Sequence, residues 1–154
     1  MILLIGFGNT FRRDDGAGPA LAGMVKERAP RNDIRVITPH QLGPELAEEM
    51  AAPEVSAVLF MDAVAAASGD HLSCACDVEP RVIDCDPCPS CFGHHLTPSV
   101  LLTYAKFLYG MHPPAWLISI PAYDFGFGEG FSDETEQMLA LALGKTVDLL
   151  RCLP

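Results

Sequence analysis

Positive charge is scarce in this chain, no apolar run is long, and no stretch of composition marks a break; each lack narrows what the chain can be. Its 10 Lys and Arg stand against 20 Asp and Glu, for a formal charge of −10. Nucleic acid is held by Lys and Arg that neutralise phosphates, so this balance argues against a nucleic-acid partner and for a basic or metal-carrying one. No apolar run approaches the roughly 20 residues that a membrane span needs. The opening Met1-Ile-Leu-Leu-Ile5 lacks the basic n-region and the cleavage site of a signal peptide, so the chain is expected in the cytoplasm. No linker divides it, and 154 residues at 49% hydrophobic content supply one core but not two, which implies a single domain over 1–154. Two catalytic signatures are also missing. No Ser or Cys sits in a nucleophile elbow and no H-E-x-x-H helix is present, so serine and zincin mechanisms have no support.

What the chain does have is concentrated at its start. Five apolar residues closed by Gly6-Phe7-Gly8 read as a strand buried on both faces of a parallel sheet. The residues after such a strand lie at its carboxyl end, where open α/β sheets bind ligands, so Asn9, Asp14 and Asp15 are expected near a crevice. Asp14 and Asp15 have a competing role as caps of the helix that begins near Gly16. A dinucleotide fingerprint fails on spacing. Gly6 and Gly8 fit the first two positions of G-x-G-x-x-G, but the third is Phe11, and two carboxylates would repel a pyrophosphate. A cation is the better guest for Asp oxygens.

Strand and helix patterns alternate along the rest of the chain. Pro19 to Arg28 reads as a helix stopped by Pro30, Ile34 to Thr38 as a strand, Pro44 to Ala52 as a helix and Val55 to Met61 as a strand. Ser99 to Tyr109 reads as a helix stopped by Gly110, Ala115 to Ile120 as a buried strand, and Ser132 as the cap of a final helix reaching Leu150. The expected fold is a three-layer αβα sandwich around a mostly parallel sheet of about five strands. Asp62 directly follows the buried Val58-Leu-Phe-Met61 run. Alone it reads equally as a turn Asp; if the first and third strands are neighbours, however, their ends bring Asp15 and Asp62 within reach of one ion.

The pattern G-x-G-N-x-x-x-x-D-D-G-x-G over residues 6–18 resembles the opening of the hydrogenase maturation endopeptidases, which trim the C-terminal tail from the large-subunit precursor of nickel-iron hydrogenases. The resemblance covers nearly the whole chain and implies a phosphorylase/hydrolase-like sandwich. Counterparts of that family's first acidic residue, second acidic residue and later histidine fall on Asp15, Asp62 and His94. His95 is the alternative to His94, which is preferred because His94, Leu96 and Pro98 reproduce the family spacing. The implied reaction is hydrolysis of one peptide bond by an aspartic-type or metal-dependent endopeptidase, with nickel carried by the precursor and recognised by Asp15, Asp62 and His94. Two carboxylates and an imidazole suit nickel or zinc, and Asp14 or Asp15 could serve as base. Asn9, Asp14, His40 and His95 are candidates for positioning substrate, His40 because it follows the second strand in Pro39-His40-Gln41-Leu42. The implied partner is the hydrogenase large-subunit precursor, met by a monomer. The rival from another class is a nickel metallochaperone or assembly factor that uses the same residues and cleaves nothing.

The chain departs from the family pattern between Cys74 and Cys91, where Cys74-Ala-Cys76 precedes Cys85-Asp-Pro-Cys88-Pro-Ser-Cys91. Cys74, Cys76, Cys85, Cys88 and Cys91 could hold zinc or an iron-sulfur cluster, or stand as reduced thiols in a Pro-containing loop. Cys152 reads as a lone thiol. Tyr123 to Ser132 is rich in Gly and Phe; it suits contact with a peptide, or else folds its Phe residues inward.

Overall fold

A computed structural model of the chain describes residues 1–29, 31–66, 78–86 and 96–154. Strand β1 (Ile2–Gly6) is followed by a 3-10 turn (Arg13–Gly16), α1 (Ala17–Arg28), β2 (Ile34–Ile37), α2 (Leu46–Met50), β3 (Ala57–Ala65), β4 (Arg81–Ile83), α3 (Pro98–Tyr109), β5 (Ala115–Ala122) and α4 (Asp133–Cys152). The sheet order is β2-β1-β3-β5-β4, parallel except for β4, which runs antiparallel to β5 at the edge.

The alternation of side chains along β1 builds both faces of the sandwich. Ile2 and Leu4 join the core formed with α1 and α4, whereas Leu3 and Ile5 join the core formed with α2 and α3. All four are fully buried, each worth about 1.5–3 kcal/mol of apolar transfer. This is why the opening run is apolar at every position, and the expected three-layer sandwich with a mostly parallel sheet is what the chain forms.

Several limits differ from the sequence reading for identifiable reasons. β3 continues four residues beyond Met61 because β5 continues beside it, pairing Asp62 with Ser119 and Ala65 with Ala122. β4 was not foreseen; a three-residue strand has no periodicity of its own, and it exists through its pairing with Leu117, Trp116 and Ala115. Asp14 and Asp15 do not cap α1, whose first turn carries no side-chain cap. Ser132 does cap α4, its hydroxyl accepting from the Thr135 N–H at 3.3 Å.

Glycine decides how closely α1 rides on the sheet. A Cβ on Gly18 would lie 2.4 Å from the Met61 carbonyl oxygen and 2.6 Å from that of Phe7, both backbone. A Cβ on Gly8, at φ 141°, would lie 2.0 Å from the Asp15 carbonyl oxygen. These glycines let the turn carrying Asp15 fold back over the end of β1; they serve close packing rather than a phosphate.

Candidate active site

The parallel pairing of β1 with β3 sets the geometry. β1 ends at Gly6, paired with Met61, and the Phe7 N–H donates to the Met61 carbonyl at 3.1 Å. Asp62 is therefore the first residue of β3 to outrun β1 on that side. The chain leaving β1 turns across this gap, and a cavity of about 320 Å³ opens there, lined by Asn9, Arg12, Asp15 and Asp62 together with His40 from the loop after β2. The crevice rule for open α/β sheets holds, and the two carboxylates anticipated at neighbouring strand ends face one space.

Each polar group is positioned by local bonds. The Asn9 side-chain oxygen accepts from the Phe11 N–H at 2.9 Å, closing an Asx turn, while the Asn9 backbone N–H donates to Asp15 Oδ2 at 3.0 Å. That leaves the other Asp15 oxygen available to a guest. Burial pushes the Asp62 carboxyl up to about 6, and the nearby charge of Asp15 adds to this, against a hydrogen bond from the Ala63 N–H. Two carboxylates at one cavity, one of them held near neutrality, favour either a cation between them or a proton on Asp62.

Asp14 takes no part in that cavity lining. It is fully buried on the other side of the turn, where Oδ2 accepts from the backbone N–H groups of Tyr123 (2.9 Å) and Asp124 (2.8 Å) and from the hydroxyls of Ser132 (2.7 Å) and Thr135 (2.8 Å). Oδ1 accepts from the Ser132 N–H at 2.7 Å. Burial raises this carboxyl, but the bonds from Ser132, Tyr123 and Asp124 outweigh it and hold Asp14 below the ordinary carboxylate range. The expectation of Asp14 as a base or substrate contact gives way to a structural one: it ties the first loop to the end of β5 and to the N-terminus of α4, where negative charge is favourable.

Arg12 was not singled out from the sequence, yet it lines the cavity, with Nε 3.4 Å and a terminal nitrogen 3.3 Å from the Phe125 carbonyl. Its neighbours stitch the first loop to the Gly- and Phe-rich segment: the Gly128 N–H donates to the Phe11 carbonyl at 2.9 Å, the Arg13 N–H to the Gly128 carbonyl at 3.1 Å, and Arg13 pairs with Asp124. Those Phe residues divide, and Phe11 of the first loop is exposed beside them. Phe131 packs against the α1–α4 core, whereas Phe127 is 93% exposed and Phe11 69% exposed. No sequence signal marks Arg12, because only the bridge to Gly128 turns that stretch toward the cavity.

His94 and His95 lie outside the described residues, as do Cys74, Cys76, Cys88 and Cys91. Leu96, the first described residue after the two histidines, lines the same cavity. Cys85 and Cys152 are free thiols. Among the described residues, no helix is long and apolar enough to cross a membrane.

The layers, the strand order and an acidic cavity beside the ends of β1 and β3 define an α/β protein of the three-layer kind with its site at the carboxyl edge of the sheet. No family model matches the chain, and no curated protein matches it in sequence. Among solved structures, its fold is that of the hydrogenase maturation endopeptidases. It is similar to the hydrogenase maturating endopeptidase HybD from E. coli, with 19% identity, a TM-score of 0.71, and 97% of this chain and 91% of that one covered. It is likewise similar to the [NiFe] hydrogenase maturation protease HycI from Thermococcus kodakarensis, at 23% identity and a TM-score of 0.67 over 97% and 92% of the two chains. The hydrogenase 2 maturation peptidase from a Thaumarchaeota archaeon covers 97% of each chain at 16% identity and a TM-score of 0.61. The fold of these structures is the one that the resemblance over residues 6–18 implied.

Proposed function

We propose that this chain is an endopeptidase that removes the C-terminal extension of a nickel-iron hydrogenase large-subunit precursor after nickel insertion, acting in the cytoplasm as a monomer. The observation that carries this reading is the meeting of Asp15 and Asp62 at one cavity within the fold of the maturation endopeptidases. Nickel belongs to the substrate. The donor set suits it, since Asp15 keeps one oxygen free of hydrogen bonds from Asn9, and a cation relieves the repulsion between the two carboxylates. His94 is the third candidate ligand, with His95 as its alternative.

The base, expected at Asp14 or Asp15, is sought among the two carboxylates that line the cavity, Asp15 and Asp62, with Asp62 favoured. In the free chain a carboxylate near pKa 6 is mostly ionised at neutral pH, and it either ligates nickel or accepts a proton from the attacking water, which it can then return to the departing amine. Arg12 is placed to hold a carbonyl or carboxylate of the tail, and the exposed Phe11 and Phe127 offer apolar contact to an extended peptide.

The test is incubation with a nickel-loaded large-subunit precursor and with its nickel-free form, read by intact mass, using Asp15→Ala, Asp62→Ala, His94→Ala and His95→Ala variants as controls. Loss of a C-terminal peptide only from the loaded precursor, abolished in the two Asp variants and one His variant, is the expected result. No mass loss, together with tight nickel binding by the chain alone, would overturn the proposal in favour of a metallochaperone.

A further inference from the structure

The opposite end of the sheet carries a second group of metal-ligating side chains. β4 runs antiparallel to β5 with Ile83 paired to Ala115, the first residue of β5. The chain leaving β4 and the chain entering β5 therefore run alongside each other beyond the amino edge of the parallel strands, away from the Asp15–Asp62 cavity at their carboxyl edge. Asp84 and Cys85 come from the first of these segments and His112 from the second. Their oxygen, sulfur and nitrogen ligand atoms all lie within 4.8 Å of one another.

We propose that Asp84, Cys85 and His112 form a binding site for a divalent ion of the zinc type. His112 Nε2 lies 2.8 Å from Asp84 Oδ1, which also accepts from the Cys85 N–H at 2.6 Å. Ligands at zinc–oxygen, zinc–nitrogen and zinc–sulfur distances of about 2.0–2.3 Å sit roughly 3.3–3.8 Å apart around a tetrahedral ion. The three ligand atoms, within 4.8 Å of one another, lie close to that spacing. One thiolate, one imidazole and one carboxylate form a borderline donor set that zinc accepts, and three protein ligands leave a fourth position for water.

The backbone under the group is fixed. The Asp86 N–H donates to Thr103 Oγ1 at 3.0 Å, and the buried Thr103 hydroxyl donates in turn to the Ser99 carbonyl at 2.9 Å within α3. Cys85 packs against the α2–α3 core, while Asp84 and His112 are exposed, so the thiol is held from inside and the open position faces water. A bound ion would clamp the end of the short edge strand β4 to the α3–β5 connection. This site is distinct from an all-cysteine one, as two of its three ligands are not cysteine.

Zinc titration of the reduced full-length chain by calorimetry, with cobalt as a spectroscopic substitute, tests the assignment. One ion per chain is expected, retained when Cys74, Cys76, Cys88 and Cys91 are all changed to Ser, and weakened at least tenfold in Asp84→Ala and His112→Ala. The cobalt–thiolate charge-transfer band should disappear in Cys85→Ser. His112 and Asp84 are exposed, so unchanged far-ultraviolet spectra in those variants will show that the fold survives. Loss of zinc from the four-serine variant, full affinity in His112→Ala and Cys85→Ser, or no zinc binding by the unmodified chain would each overturn the proposal.

Discussion

Removing the Asp14 carboxylate by Asp14→Ala strips five acceptor contacts at once, to Ser132 N and Oγ, Tyr123 N, Asp124 N and Thr135 Oγ1. Hydrogen bonds to a charged acceptor are worth about 1.5–3 kcal/mol each, but they do not add. Thr135 keeps its bond to the Pro121 carbonyl, and Asp124 and Ser132 are only partly buried, so water can replace some of the lost contacts. The net cost should therefore be about 3–5 kcal/mol, a large fraction of the stability of a domain this size. Urea denaturation at pH 7 measures it directly. The pH dependence supplies a second check. The folded carboxyl titrates below its ordinary value of 3.8, so its contribution is present above that value and lost as pH falls through the lower folded one. The unmodified chain should lose stability below about pH 4 more steeply than Asp14→Ala does. A loss under about 1 kcal/mol at pH 7, with parallel acid profiles, would refute the role given to this residue.

Asp62→Asn should behave oppositely. Because burial raises the folded Asp62 carboxyl from 3.8 to about 6, ionised Asp62 opposes folding, a cost absent below the lower value and complete above the higher. After allowance for the water that still reaches this carboxyl, Asp62→Asn should gain about 1–2 kcal/mol at pH 7.5 and almost nothing at pH 4, while precursor processing is lost; equal stability at pH 7.5 would count against it. If Asp62 is the base, kcat/KM for processing should rise with pH through an apparent pKa near 6, and a flat profile from pH 5 to 8 would remove it from that role. Gly18→Ala should cost about 2–3 kcal/mol in thermal or urea unfolding, since its methyl group would collide with two backbone carbonyls and force α1 off the β1–β3 pair.

The amino-acid sequence by itself determined the layers of this protein and most of the polar lining of its candidate site. An apolar run at every position of β1 can be satisfied only by burial on both faces, and the alternation of strand and helix periods then requires a parallel sheet between helices. Local punctuation at Ser132 and Gly110 marked helix ends because caps act through bonds within a few residues. Asp15 and Asp62 were legible because each follows a strand whose burial is written in consecutive residues. What only the tertiary structure decided depends on partners distant in the chain. Asp14 and Asp15 are adjacent and chemically identical, yet one faces the cavity and the other is consumed by donors more than 100 residues away. β4 exists through β5, and Arg12 reaches the cavity through the bridge to Gly128. The convergence of Asp84, Cys85 and His112 likewise follows from antiparallel pairing at the sheet edge. Sequence spacing records neighbours along the chain, whereas hydrogen bonding and ligation are set by neighbours in space.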